Sequence, residues 1–382
     1  MIKLLTIIGA RPQIIKAAAI SRAIKNKFPD KIKEVIVHTG QHYDNNMSQI
    51  FFDELDIPHP NYNLNVGSGL HGKQTAVMIE GVEEILLKEK PNCIILYGDT
   101  NSTLAGAIAA SKIHVPIVHI EAGLRSFNKS MPEEINRIIC DNVSTLLFSP
   151  TKAGIKNLVK EGFKLKNEGP YSINNPKVYH SGDIMYDNSL FFSLLAEHSV
   201  NILKDNSLDA EKYVLATIHR NNNTDDPKRL NSLFRAINKI SVENKINVIL
   251  PLHPRTAKLL AKNLSSELYS TVKTNKLIKI IKPVSFLEMI ALEKNAFLIM
   301  TDSGGVQKEA FFFKKPCIIL RPETEWVELV NSGSAILADT NEDHIMKAFD
   351  QFKKTNKLKF PELFGDGNAA EFICCEILKN IN

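Results

Sequence analysis

Short runs of aliphatic and β-branched residues alternate with longer stretches whose apolar positions recur at helical spacing, from one end of the chain to the other. Leu4–Ile8, Glu34–His38, Cys93–Tyr97, Ile117–Ile120 and Leu146–Phe148 form a first set of expected strands. Val214–Thr217, Asn247–Leu252, Ile278–Ile281, Phe297–Thr301 and Cys317–Leu320 form a second. Most are followed by a loop and then a helical period, which is the pattern of parallel strands joined by crossover helices. A polar segment containing Asn and Pro, from about Lys164 to Lys177, separates the two sets and puts a hinge near residues 180–190. The expected fold is therefore α/β, with two doubly wound, Rossmann-like domains facing a cleft: residues 1–182, residues 183–364, and a C-terminal segment, 365–382. Asn368–Ile381 reads as a helix with Ala369, Phe372, Ile373 and Ile377 on one side, placed to pack back onto the first domain.

Composition narrows the class. A chain of 382 residues exceeds what one core usually supports, and 44% apolar with 23% charged residues is the balance of a globular protein. The formal charge of +5 is spread over scattered lysines, with no basic block of the kind that grips nucleic acid. No stretch reaches about 18 apolar residues, so no membrane span is expected. The chain runs from Met1 straight into a strand without a secretory leader, which makes the cytoplasm the expected location. Its five cysteines show neither disulfide nor metal-ligand spacing and read as reduced core thiols.

Polar clusters follow the expected strands, at the carboxyl ends where ligands of such sheets bind. Gly9-Ala10-Arg11-Pro12 opens a helix containing Lys16, an arrangement that suits a phosphate or, equally, a tight strand-to-helix turn. Asp99 and Thr100 end a strand and serve either as an N-cap or as functional groups. Glu121, Gly123 and Arg125 leave the next strand together. Glu133 and Arg137, four apart on a helix, share a face, as a surface ion pair or as site residues. In the second half, His219-Arg220 and His253-Pro254-Arg255 end strands, and Thr301-Asp302-Ser303-Gly304-Gly305 combines small residues with a helix start, which favours close approach of an anion. Glu309 lies one turn further on, within reach of a ribose diol, and Arg321 opens the last charged cluster.

In this order the clusters resemble the non-hydrolysing UDP-N-acetylglucosamine 2-epimerase family, whose fold is the two-domain GT-B type. The carriers are Gly9-Ala10-Arg11-Pro12 with Lys16, Gly98-Asp99-Thr100, His119 to Arg125, Pro132 to Arg137, His219-Arg220, Thr301 to Gly305 with Glu309, Arg321 to Glu325, and Gly365-Asp366-Gly367. The resemblance implies acid-base work by Asp99, Glu121 and Glu133, with Lys16, Arg137 and His219 as electrostatic partners. It also implies that Ser303, Gly304 and Gly305 receive the diphosphate with Arg11 and His219 completing the clamp, that Glu309 takes the ribose and the Pro283–Met289 stretch the uracil, and that Arg321 belongs to the UDP site. The implied reaction inverts carbon 2 of a UDP-linked N-acetylhexosamine by losing and regaining UDP, for surface-polysaccharide precursors. It needs neither metal nor redox cofactor, and the implied assembly is a homodimer.

Departures from the family pattern bear on the substrate. Asn222 stands where a glutamate is common, and Thr324-Glu325-Trp326-Val327-Glu328 replaces the usual Thr-Glu-Arg-Pro-Glu. With Gly182-Asp183 and Gln41-His42-Tyr43-Asp44, these residues look like the branch acting on UDP-2,3-diacetamido-2,3-dideoxy-glucuronate. The continuation of Gln41-His42 as Tyr43-Asp44 also argues against the second-site regulation found in parts of the family. A hydrolysing epimerase, a GT-B glycosyltransferase and an inactive nucleotide binder are the competing classes. The absence of a membrane-facing patch weighs against the transferase, and the presence of Asp99, Glu121 and Glu133 weighs against the inactive binder.

Overall fold

The structure, a computed structural model, describes residues 1–41, 52, 57–355 and 357–381. His42, Tyr43 and Asp44, on which part of the substrate-branch and regulation reading rests, lie outside the described residues. The chain divides into two units, Met1–Asn188 with Glu362–Asn382, and Ser189–Pro361.

The first unit holds a seven-stranded parallel sheet in the order β3-β2-β1-β4-β5-β6-β7. Its strands are β1 (Ile2–Ile8), β2 (Ile32–His38), β3 (Tyr62–Asn63), β4 (Cys93–Tyr97), β5 (Ile117–Ile120), β6 (Leu146–Ser149) and β7 (Lys177–His180). Central strands of such a sheet are covered on both faces, so they carry continuous apolar runs. Cys93, Ile94, Ile95, Leu96 and Tyr97 are accordingly all fully buried. One face packs Leu5, Ile7, Ile94 and Leu96 against Val82 and Leu86 of the His71–Glu89 helix and against Ala107 and Ala110 of the Asn101–Lys112 helix. The C-terminal helix Ala369–Asn380 lies on the helix Arg11–Lys27. Asp187 accepts from the amides of Ala369 (3.2 Å) and Ala370 (2.8 Å), two of the donors that a helix start leaves unpaired. Phe372 is 38% exposed and instead meets Phe148 and Tyr179 edge-on, with ring centroids 6.3 and 5.8 Å apart.

The second unit repeats the plan with six parallel strands in the order β10-β9-β8-β11-β12-β13. They are β8 (Tyr213–Thr217), β9 (Asn247–Pro251), β10 (Ile278–Ile281), β11 (Leu298–Thr301), β12 (Cys317–Ile319) and β13 (Ala335–Leu337). Val214, Leu250, Leu298 and Ile318 pack there against Leu230, Phe234 and Ile237 of the Pro227–Asn244 helix and Phe349 of the Glu342–Lys354 helix.

All ten expected strands are present, and β3, β7 and β13 extend the sheets beyond them. These three are edge strands of two to four residues with mixed burial, too short to show a period. Among the described residues no helix is long and apolar enough to cross a membrane, and all five cysteines are free. In both sheets the strand order reverses beside the first strand, between β1 and β4 and between β8 and β11. That is the switch point at which doubly wound sheets bind ligands.

Candidate active site

At the first switch point Gly9 packs so closely on Ser102 and Thr39 that a β-carbon there would overlap both hydroxyls. The fully buried Gln13 anchors the turn. Its Oε1 accepts from Gly9 N (2.9 Å) and Ala10 N (3.2 Å), and its Nε2 donates to Tyr97 O and Thr103 Oγ1, both at 3.0 Å. A side chain from the β1 turn thereby fixes the end of β4. Arg11 is exposed at the helix start, and Lys16, one turn further along, forms an ion pair with Glu121.

Asp99 and Glu121 leave β4 and β5 on neighbouring loops. Gly98 has φ +62°, and a β-carbon on it would lie 3.2 Å from Lys16 Nζ and 3.3 Å from Glu121 Oε2. Glu121 itself has φ +75°, a left-handed conformation that costs a non-glycine residue free energy. Asp99 pairs with Arg137, and its backbone carbonyl accepts from Asn136 Nδ2 at 2.9 Å. Each carboxylate thus has its own cation. Arg137 also binds Glu134 at 2.9 Å, and Glu134 accepts from Ser126 N (2.9 Å) and Phe127 N (3.0 Å). Glu134 is buried, whereas Glu133 is exposed. The Glu133–Arg137 pair suggested by their spacing does not form, because Arg137 turns to Asp99 and Glu134.

Beneath these loops lies a buried network. His119 Nε2 contacts Gly98 O at 2.8 Å, and its Nδ1 contacts Asp141 Oδ1 at 2.7 Å. Asp141 Oδ2 accepts from Gly123 N (3.1 Å) and Arg125 Nη2 (2.7 Å), and Arg125 continues to Glu161 at 2.6 Å.

In the second unit the turn after β8 is built around Asp302. This fully buried carboxylate accepts from His219 N (3.1 Å), Arg220 N (3.1 Å) and Asn223 Nδ2 (3.0 Å), and meets His219 Nδ1 at 2.8 Å. Burial works against the charge, but His219, Arg220 and Asn223 outweigh it and hold the Asp302 carboxyl below the usual range. With Nδ1 held by Asp302, the half-exposed ring is fixed in orientation. Ser303 caps the helix Gly304–Phe312 through Val306 N, Gly305 is open to solvent, and the Arg321 guanidinium sits beside Gly304, paired with Glu325 at 2.8 Å. These groups make a helix start with a cation beside it. A pocket of about 650 Å³ adjoins it, lined among others by Arg220, Asn222, Arg229 and Arg321. Arg255 does not enlarge this positive cluster, because Asp225 binds it at 2.8 Å. Behind the helix, burial and the neighbouring Glu309 raise Glu293 well above the usual carboxylate range. Met289 is partly buried in the Phe286–Asn295 helix. Among the described residues no group of three His, Cys, Asp or Glu side chains is arranged to hold a metal.

Gln13, Glu134, Asn136, Asp141, Asn223 and Asp302 are the residues that sequence reasoning left unassigned. Only Asp302, at a strand end inside a glycine-rich cluster, carried a local signal. Gln13, Asn136 and Asp141 act on backbone groups remote in the chain, as Gln13 does on Tyr97, whereas Glu134 meets the nearby Ser126 and Phe127 amides and Asn223 meets Asp302 and Leu320.

Two parallel sheets, each with polar groups gathered at its switch point, define a Rossmann-like α/β enzyme. The UDP-N-acetylglucosamine 2-epimerase family model matches residues 24–379, and the chain belongs to that family. It is 48% identical over 372 residues to the UDP-2,3-diacetamido-2,3-dideoxy-D-glucuronate 2-epimerase of Pseudomonas aeruginosa, covering 97% of this chain and 98% of that one. It is 47% identical over 380 residues to a UDP-N-acetylglucosamine 2-epimerase homolog of Methanococcus maripaludis, covering 99% and 100%. The solved Methanocaldococcus jannaschii UDP-GlcNAc 2-epimerase, in complex with UDP-GlcNAc and UDP, matches with a TM-score of 0.82 at 42% identity over 99% of both chains.

Proposed function

We propose that this enzyme inverts carbon 2 of a UDP-linked N-acetylhexosamine, in the UDP-GlcNAc to UDP-ManNAc sense, without releasing the free sugar. The observation that carries the reading is the pair of carboxylates, Asp99 with Arg137 and Glu121 with Lys16, on adjacent strand-end loops. The proton on carbon 2 is too weakly acidic to leave alone. One carboxylate removes it as the bond from carbon 1 to the UDP oxygen breaks. The C–H electrons become the C1=C2 double bond of a glycal, and UDP departs with the electron pair of the broken bond. Protonation of carbon 2 from the other face and return of the UDP oxygen to carbon 1 complete the inversion. Two separately placed proton-transfer groups are required, and a separate cation for each carboxylate suits that division.

Arg11, His219, Ser303, Gly304, Gly305 and Arg321 would take the diphosphate, stabilising the charge that UDP carries as it leaves. Glu309 would take the ribose, and Met289 would lie near the uracil. Glu133, exposed on its helix, joins the acid-base set on the family likeness alone. The likeness to epimerases also supports a cytoplasmic homodimer, which light scattering of the purified protein tests.

A second reading, the UDP-2,3-diacetamido-2,3-dideoxy-glucuronate epimerase, is favoured by the Pseudomonas relative and by Trp326, a buried ring with Lys308 Nζ 4.4 Å from its centroid where the family motif has arginine. Incubation of each nucleotide sugar in deuterated water, followed by NMR, tests both. Deuterium at carbon 2 with UDP still attached supports epimerisation and identifies the substrate. Free sugar with UDP indicates the hydrolysing reaction, and exchange in neither substrate removes both readings.

A further inference from the structure

The His119 ring has an acceptor at each nitrogen. Gly98 O, 2.8 Å from Nε2, is a carbonyl and can only accept; Asp141 Oδ1, 2.7 Å from Nδ1, belongs to a carboxylate that also accepts from Gly123 N and pairs with Arg125. A neutral histidine has one N–H and one lone pair, so either tautomer would set a lone pair against an acceptor in a site with no solvent exposure. Moving the proton to Asp141 would relieve that contact. It would also neutralise the carboxylate beside a guanidinium and a backbone donor, both of which favour the anion. The doubly protonated ring satisfies both of its contacts and keeps on Asp141 the charge that Arg125 and Gly123 N favour.

We infer that His119 is a positioning residue, held as an imidazolium, whose two N–H groups clamp the Gly98–Asp99 peptide and the Asp141 carboxylate so that Asp99 and Glu121 keep their places. The inference rests on the reading of these two carboxylates as proton-transfer groups. Gly98 O belongs to the peptide that leads into Asp99, and Gly98 N donates to Ile120 O at 3.0 Å, next to Glu121. Asp141 secures the same loop again through Gly123 N and Arg125. The ring therefore joins β4, β5 and the Pro132–Val143 helix at one point. The charges balance, with His119 and Arg125 facing Asp141 and Glu161. The other titratable neighbour of the ring is Cys140, on the same helix as Asp141. Desolvation opposes the ring's charge, but Cys140 and Asp141 outweigh it and push the pKa up to about 10.

The test is NMR of the full-length protein labelled with 15N-histidine, assigned by the signal lost in H119Q. Both His119 nitrogens are expected to carry protons at pH 7 to 8, and in D141N the second proton should leave about 1–3 pH units earlier. Should H119Q fail to fold, the shifted D141N signal supplies the assignment. Folded H119Q is expected to lose about 100-fold in kcat, as misplaced catalytic groups do, with its Kd for UDP unchanged. One bare His119 nitrogen at pH 7, or full turnover by folded H119Q, overturns the inference. The ring measurement needs no substrate, so it separates this result from failure of the epimerase reading. If the wild-type protein exchanges no deuterium with either sugar, the positioning role falls with that reading even where the ring proves doubly protonated.

Discussion

Asp302 takes both the ring nitrogen of His219, at 2.8 Å, and the backbone amide of the same residue, at 3.1 Å. A single buried carboxylate therefore sets the backbone and the side chain of the residue expected to meet the diphosphate. Asp302→Ala leaves the His219 and Arg220 amides without their acceptor and Asn223 Nδ2 with Leu320 O alone, and should cost about 3 kcal/mol of stability. UDP affinity, measured by calorimetry, should fall as well. The Asp302 pKa is depressed below its ordinary 3.8, so its contribution is present above that value and disappears as pH falls through the lower, folded value. The difference between wild type and variant should accordingly shrink in acid, as read from urea midpoints.

Asp99→Asn and Glu121→Gln each keep the shape of a carboxylate and remove its proton-transfer capacity. Both variants should lose turnover by at least ~100-fold, the contribution expected of a general acid or base, while binding UDP normally. A fully active Asp99→Asn, Glu121→Gln double variant in the deuterium-exchange assay would remove these residues from the chemistry.

Gly304→Ala places a methyl group against Glu325 Oε1 and beside the Arg321 guanidinium. The Glu325 end can move, so stability should change by about 1 kcal/mol or less. Yet Glu325 holds Arg321, and the methyl occupies the approach to the helix start. A roughly tenfold weaker UDP affinity is expected, the equivalent of about 1.4 kcal/mol.

The raised pKa of His119 has a definite sign in stability. Its folded value of about 10 exceeds the ordinary 6.5, so its contribution is complete below pH 6.5 and is lost as pH climbs to about 10. The stability advantage of wild type over H119Q, followed by chemical denaturation, should shrink across that alkaline window. An advantage that stays constant there would contradict a charged ring.

Asp187 shows the same sign for a different reason. Burial raises it from 3.8 to about 6, against the two helix amides that lower it. Ionisation is therefore unfavourable in the fold, and the stability of wild type relative to Asp187→Asn should decline as pH rises from about 4 to about 6. Parallel stability curves over that range would contradict the burial of an ionising group at the start of the C-terminal helix.

Much of this fold is legible in the sequence because its central strands are apolar on both faces: runs such as Cys93–Tyr97 stand out without reference to partners. Edge strands such as Tyr62–Asn63 carry no such run, and only the neighbouring strand makes them strands. The site divides along a similar line. Asp99 and Glu121 stand at strand ends, where position alone marks them. Glu133 and Glu134 are neighbours on one helix, about 100° apart around its axis, and only the loop carrying Ser126 and Phe127 selects Glu134 for the interior. Gln13, Asn136 and Asp141 look like ordinary helix residues because their partners come from distant loops.

Gly9 has no room for a methyl group between Ser102 and Thr39, and Gln13 bolts that turn to Tyr97 and Thr103. The first turn and the end of β4 must therefore travel as one piece. Splaying this corner would break the hydrogen bonds from Gln13 to Tyr97 and Thr103 together, whereas tilting it as a unit keeps both.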